Sequence, residues 1–75
     1  MAKPQRDVES GYTTAQFVAK LRRLADALET GKRFQIQIAG ERITVPDSAV
    51  FTVEHERSGE SEEVEFQIRW PRQRP

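Results

Sequence analysis

Residues 34–45 read Phe34-Gln35-Ile36-Gln37-Ile38-Ala39-Gly40-Glu41-Arg42-Ile43-Thr44-Val45. Phe34, Ile36 and Ile38 alternate with two glutamines, and a period of two marks a strand with one buried face. Gly40-Glu41 places glycine first, as a type II′ two-residue turn requires. That turn sets Ile38 opposite Ile43 and Ile36 opposite Val45, so the apolar side chains of both strands share one face. Pro46 cannot donate to a ladder and ends the second strand.

The same pattern continues downstream. Asp47, Ser48 and Ala49 form a loop, after which Phe51, Val53 and His55 point to the inner face of a third strand. A turn around Ser58-Gly59-Glu60-Ser61 leads into a fourth strand carrying Val64, Phe66, Ile68 and Trp70. Pairing Arg57 with Glu62 places His55 opposite Val64, Val53 opposite Phe66 and Phe51 opposite Ile68.

Upstream, residues 14–30 have helical spacing. Phe17, Leu21, Leu24 and Leu28 recur at i, i+4, i+7 and i+11, and Val18 and Ala25 widen the stripe. Thr13 with Gln16 fits a capping box, and Gly31 fits the left-handed position just past a helix end. The expected fold is α+β: one N-terminal amphipathic helix packed on one face of a four-stranded antiparallel β-meander. Residues 1–12 read as a flexible N-terminal arm, 13–70 as a single domain and 71–75 as a flexible C-terminal tail.

The helix Leu21-Arg22-Arg23-Leu24-Ala25-Asp26-Ala27-Leu28-Glu29-Thr30-Gly31, then Val45-Pro46, then Val53-Glu54-His55-Glu56, and finally Ile68-Arg69-Trp70-Pro71 follow one another in order. This order, over about residues 13–70, resembles the amphi-Trp domain family, small bacterial and archaeal proteins or modules whose amphipathic strands close on a tryptophan. The resemblance implies the fold. It carries over no reaction, ligand or catalytic residue.

Composition narrows the field of functions. The chain has 75 residues and a mass of 8.6 kDa, with no cysteine and one histidine. Disulfides are excluded, and a structural zinc site lacks its ligands. Twelve bases balance twelve acids, whereas a protein that neutralises many phosphates carries a basic excess. The charge is unevenly spread: residues 1–33 carry seven bases and four acids, 34–68 two bases and eight acids, and 69–75 three arginines. No apolar run exceeds three residues, as at Ala49-Val50-Phe51, too short to span a membrane. Residues 1–10 lack the apolar core of a secretory signal, and a cytoplasmic location is expected.

Geometry then suggests where function lies. A four-stranded sheet is about 19 Å wide at roughly 4.8 Å per strand, but a helix with its side chains is about 10–12 Å across. Twelve residues lie on the inner face and the helix brings six apolar ones. An apolar strip over the third and fourth strands is therefore expected to stay uncovered, with Phe66, Ile68 and Trp70 as the candidate interface. Trp70 has two readings, core packing against Leu24 or Leu28 and an aromatic interface anchor, of which core packing is the simpler.

The outer face of the last hairpin sets Glu54 opposite Glu65 and Glu56 opposite Glu63, an acidic patch of like charges across strands. Its spacing is not that of a metal loop, and the simplest role is a solvated face that deters edge aggregation. These carboxylates lie on an open face with no walls to shift a pKa, and His55 has no nucleophile partner. No catalytic residue, metal or cofactor is expected. Arg69, Arg72 and Arg74 form a basic patch around Trp70 and, with the basic helix, allow weak sequence-independent nucleic-acid binding as an alternative. Against it stand Arg22–Asp26 and Glu29–Arg33 at ion-pair spacing, an outer sheet face without aromatic residues, and an acidic hairpin that repels phosphate. The expected function is that of a non-enzymatic interaction module forming a homodimer through apolar sheet surface near the fourth strand. A monomeric domain that recognises another protein is the remaining alternative.

Overall fold

The computed structural model describes residues 5–72; residues 1–4 and 73–75, Arg74 of the basic tail among them, lie outside the described residues. Helix α1 spans Thr14–Glu29, and both ends are built as the sequence dictates. The Gln16 N–H donates to Thr13 Oγ1 at 3.2 Å, and the Thr13 N–H donates to Gln16 Oε1 at 3.0 Å, completing the capping box. At the other end Gly31 adopts φ +70°. The Lys32 N–H then reaches Ala27 O at 2.8 Å and the Gly31 N–H reaches Leu28 O at 3.3 Å, the paired bonds of a Schellman motif.

Strands β1 (Phe34–Ile38) and β2 (Glu41–Val45) form an antiparallel hairpin. Its register differs from the sequence expectation by two residues: Phe34 faces Val45, Ile36 faces Ile43 and Ile38 faces Glu41. The turn residues are Ala39 and Gly40, both at positive φ, +47° and +83°. Positive φ at both positions makes a type I′ turn, whose twist matches that of the flanking strands, and this gain outweighs the strain of a left-handed alanine. Because the slip is two residues rather than one, the apolar faces still coincide.

Strands β3 (Val50–Ser58) and β4 (Ser61–Arg69) form a second, longer hairpin in the expected register, with Val53 opposite Phe66 and His55 opposite Val64. The four strands do not join in one meander: β1–β2 and β3–β4 are separate two-stranded sheets. Pro46 gives no N–H, and the Ala49 N–H bonds Pro46 O at 3.1 Å. That closed turn swings the chain out of the first sheet before β3 begins. The class remains α+β, with the helix at the N-terminal side.

α1 packs on β1. Among the described residues only Phe34 and Val45, directly opposite one another, are buried apolar side chains, at 6% and 7% exposure. The Arg23 guanidinium covers the Phe34 ring at 5.3 Å from its centroid. No helix among the described residues is long and apolar enough to cross a membrane.

Removing Phe34 takes away half of this small core. Phe34→Ala costs about 3–5 kcal/mol in a typical core, comparable with the whole stability of a domain this size. Loss of a cooperative thermal transition by circular dichroism is the expected outcome; a transition that survives within a few degrees of wild type would show that the fold rests elsewhere.

Candidate functional site

The β3–β4 hairpin carries two unlike faces. On one, Phe51, Val53, Val64, Phe66 and Ile68 stand in register and end at a polar tip formed by His55, Arg57 and Glu62. Phe51, Val53, Val64 and Phe66 are 53%, 67%, 64% and 65% exposed. Four large apolar side chains in one contiguous row, this open to water, exceed the scattered exposure of an ordinary surface. The residues of the expected interface separate here. Phe66 is open, whereas Ile68 and Trp70 are half-buried and line an apolar cavity of about 290 Å³ with Phe17, Leu21 and Leu24 of the helix and Ile43 of β2. Of the two core partners expected for Trp70, Leu24 shares this cavity and Leu28 does not line it.

Sequence reasoning placed the apolar excess on the sheet alone, but the helix shares it. Leu24, Ala27 and Lys20 turn toward β1–β2 and are half-buried. Phe17, Val18, Leu21 and Leu28, on the adjoining flank, remain 38–50% exposed. The signal was present in the width of the stripe, since Val18 and Ala25 extend it farther round the helix than two strands can cover.

The other face of the hairpin holds the acidic patch in the expected register, Glu54 opposite Glu65 and Glu56 opposite Glu63. Gln67 anchors its inner end: Gln67 Nε2 donates to Glu65 Oε2 at 2.9 Å, and Thr52 Oγ1 donates to Gln67 Oε1 at 3.0 Å. Glu63 is pushed above the usual carboxylate range, first by its side-chain hydrogen bond with Glu65 and then by the charges of Glu56 and Glu65. At the tip the reverse holds. Glu62 is held below that range by hydrogen bonds with His55 (3.0 Å) and Arg57 (2.9 Å). Among the described residues no group of carboxylates and histidines is arranged to hold a metal ion.

The basic residues disperse. Arg69 is exposed at the end of β4, and Arg72 lies beside Trp70 on a cleft shared with Arg6 and Glu41. Arg6, in the N-terminal segment, binds Glu41 and donates to Ile38 O at 2.6 Å, so it grips the end of the first hairpin. Neither Arg22–Asp26 nor Glu29–Arg33 closes to ion-pair distance among the described residues, where the pairs present are Arg6–Glu41, His55–Glu62 and Arg57–Glu62. An exposed pair gains little and costs side-chain entropy, so spacing alone does not bring these together.

Residues 3–75 match the Amphi-Trp domain, nearly the entire chain. The chain belongs to the Amphi-Trp family. No curated protein and no solved structure matches it significantly. For this Amphi-Trp domain the site therefore stands on its own geometry: an exposed apolar hairpin face backed by a ladder of carboxylates.

The two perturbed carboxylates act oppositely on stability. Glu62, lowered in the folded chain, stabilises the hairpin above the ordinary carboxylate range, and that contribution is lost as pH falls through its folded pKa. Glu63, raised, contributes below the ordinary range and loses that contribution as pH rises through its folded pKa. Carboxyl-resolved NMR titration is expected to show Glu62 losing its proton before Glu63 as pH rises. Glu63→Gln should raise the urea midpoint at neutral pH and leave it unchanged in acid, where both states are protonated. A gain that persists in acid would refute the charge explanation.

Proposed function

We propose that this Amphi-Trp domain is a non-enzymatic interaction module that self-associates through the apolar face of its β3–β4 hairpin. One observation carries the reading: Phe51, Val53, Val64 and Phe66 form a continuous row that the chain itself leaves open. The size of the exposed surface supports it. The chain presents 6954 Å² to solvent, against about 4,700 Å² for a compact monomer of its mass. Its radius of gyration is 14.2 Å, against about 11 Å for a compact domain of this length. The terminal segments account for part of the difference, and the open hairpin and helix faces contribute the rest. A standard specific interface hides about 800 Å² on each partner, well within what is in excess here.

The acidic face suits this role as the solvent side of such an assembly, where like charges keep the hairpin from stacking further. It does not suit catalysis, since its carboxylates face open water without an enclosing pocket. We also place the module in the cytoplasm, a reducing compartment to which a sequence without cysteine is suited.

Sedimentation equilibrium at physiological salt, over a wide concentration range, tests the reading. The expected mass is that of two chains. Phe66→Lys should raise the dissociation constant by at least about thirty-fold, since losing a central aromatic anchor costs about 2 kcal/mol or more. A single-chain mass at every concentration would overturn the proposal.

A further inference from the structure

Resting on that self-association, we propose a specific partner surface: the apolar face of each chain's β3–β4 hairpin lies on the uncovered flank of α1 in a second copy, reciprocally. The molecule offers two unpartnered apolar surfaces, the hairpin row and the helix flank of Phe17, Val18, Leu21 and Leu28. They match in length. Nine-residue strands extend about 30 Å, and the sixteen-residue helix about 24 Å. Within one chain they meet only at the base of the hairpin, where Phe51 shares a cavity with Leu28 and Ile68 one with Phe17 and Leu21; among the described residues the backbone of β3–β4 approaches neither α1 nor the first hairpin closely. The base of the hairpin is held where Ile68 and Trp70 meet the helix cavity, while Val53, Val64 and Phe66 project outward. The Pro46–Ala49 turn, closed by its own hydrogen bond, fixes that direction.

A short connector that sends an element away from its own core is the arrangement from which reciprocal exchange arises. The exchange is isologous. Each chain gives a hairpin and receives one, so both apolar surfaces are covered twice with no open end for further addition. The exposed hairpin row and helix flank together supply the apolar area that a specific interface of about 800 Å² per partner needs.

Charge selects this pairing over its main competitor, two hairpins packed face to face. Residues 50–69 carry six acids and two bases, so two such hairpins brought together repel. Residues 14–33 carry five bases and two acids. Among the described residues Arg22, Lys32 and Arg33 have no ion-pair partner in their own chain. With Glu54, Glu56, Glu63 and Glu65 on the solvent side, the net negative hairpin is attracted to this net positive helix through its rim and its net charge rather than by facing carboxylates.

The chain lacks cysteine, so single cysteines report contacts directly. Leu21→Cys and Phe66→Cys variants, each checked by circular dichroism, are refolded together and treated with a short bismaleimide. Leu28→Cys with Val53→Cys serves as a second pair in case either substitution disturbs folding. The expected product is a Leu21→Cys/Phe66→Cys covalent dimer, formed at least about ten-fold faster than either homotypic product, because the complex raises the effective thiol concentration. Two results overturn the placement while leaving self-association intact: faster cross-linking of Phe66→Cys to itself, which means face-to-face hairpins, and absence of any cross-link in a sample that sediments as two chains. A double variant, Leu21→Cys and Phe66→Cys in one chain, that cross-links internally and runs as a monomer also overturns it. A single-chain mass for the unmodified protein removes both this inference and the reading beneath it.

Discussion

Phe34 and Val45 face each other across β1 and β2, and the Arg23 guanidinium lies over the Phe34 ring. This one cross-strand pair, covered by a single helix, is all the apolar core the described chain closes by itself. The other features follow from it. The helix can shield only the two strands whose side chains it touches, so the longer hairpin must stand outside the core. A small chain hides a modest share of its surface in any case, and here the unhidden share is concentrated in one hairpin face and one helix flank.

Separation of the hairpins also separates two chemical surfaces. On the apolar side, Val53 and Phe66 sit opposite each other, followed outward by His55 and Val64 and then by Arg57 and Glu62. On the reverse side Glu54, Glu56, Glu63 and Glu65 accumulate negative charge, enough to raise Glu63. Each face constrains the other. A hairpin with one open apolar face is kept dispersed by charge on its back, and that charge limits which surfaces it can approach.

Much of this was legible in the chain. The register of β3–β4 followed from matching Val53 to Phe66 and Phe51 to Ile68, because a period-two pattern fixes which residues can share a face. Thr13, Gln16 and Gly31 marked both ends of α1, since a cap depends on local hydrogen bonds that spacing alone specifies. The β1–β2 turn was less legible. Glycine at Gly40 suited a type II′ turn, but the match of strand twist to a type I′ turn moved the turn back to Ala39-Gly40. Arg22 and Asp26 show the same limit: helical spacing permits the pair, and solvent screening and side-chain entropy leave it open.

Elements, caps, the second register and the opposite character of the two hairpin faces were set by the sequence itself, because each depends on neighbours within a turn or a strand pair. Whether the four strands join was not set there. Sheet continuity between β2 and β3 depends on the direction the chain takes after Pro46, and that direction is a property of the folded turn, closed by the Ala49 N–H on Pro46 O. The rotation of α1, which turns Leu24 half-buried toward β1–β2 and leaves Leu21 and Leu28 open, was likewise decided only in three dimensions. A helical stripe specifies a face, and only the number of strands actually beneath it determines how much of that face is covered.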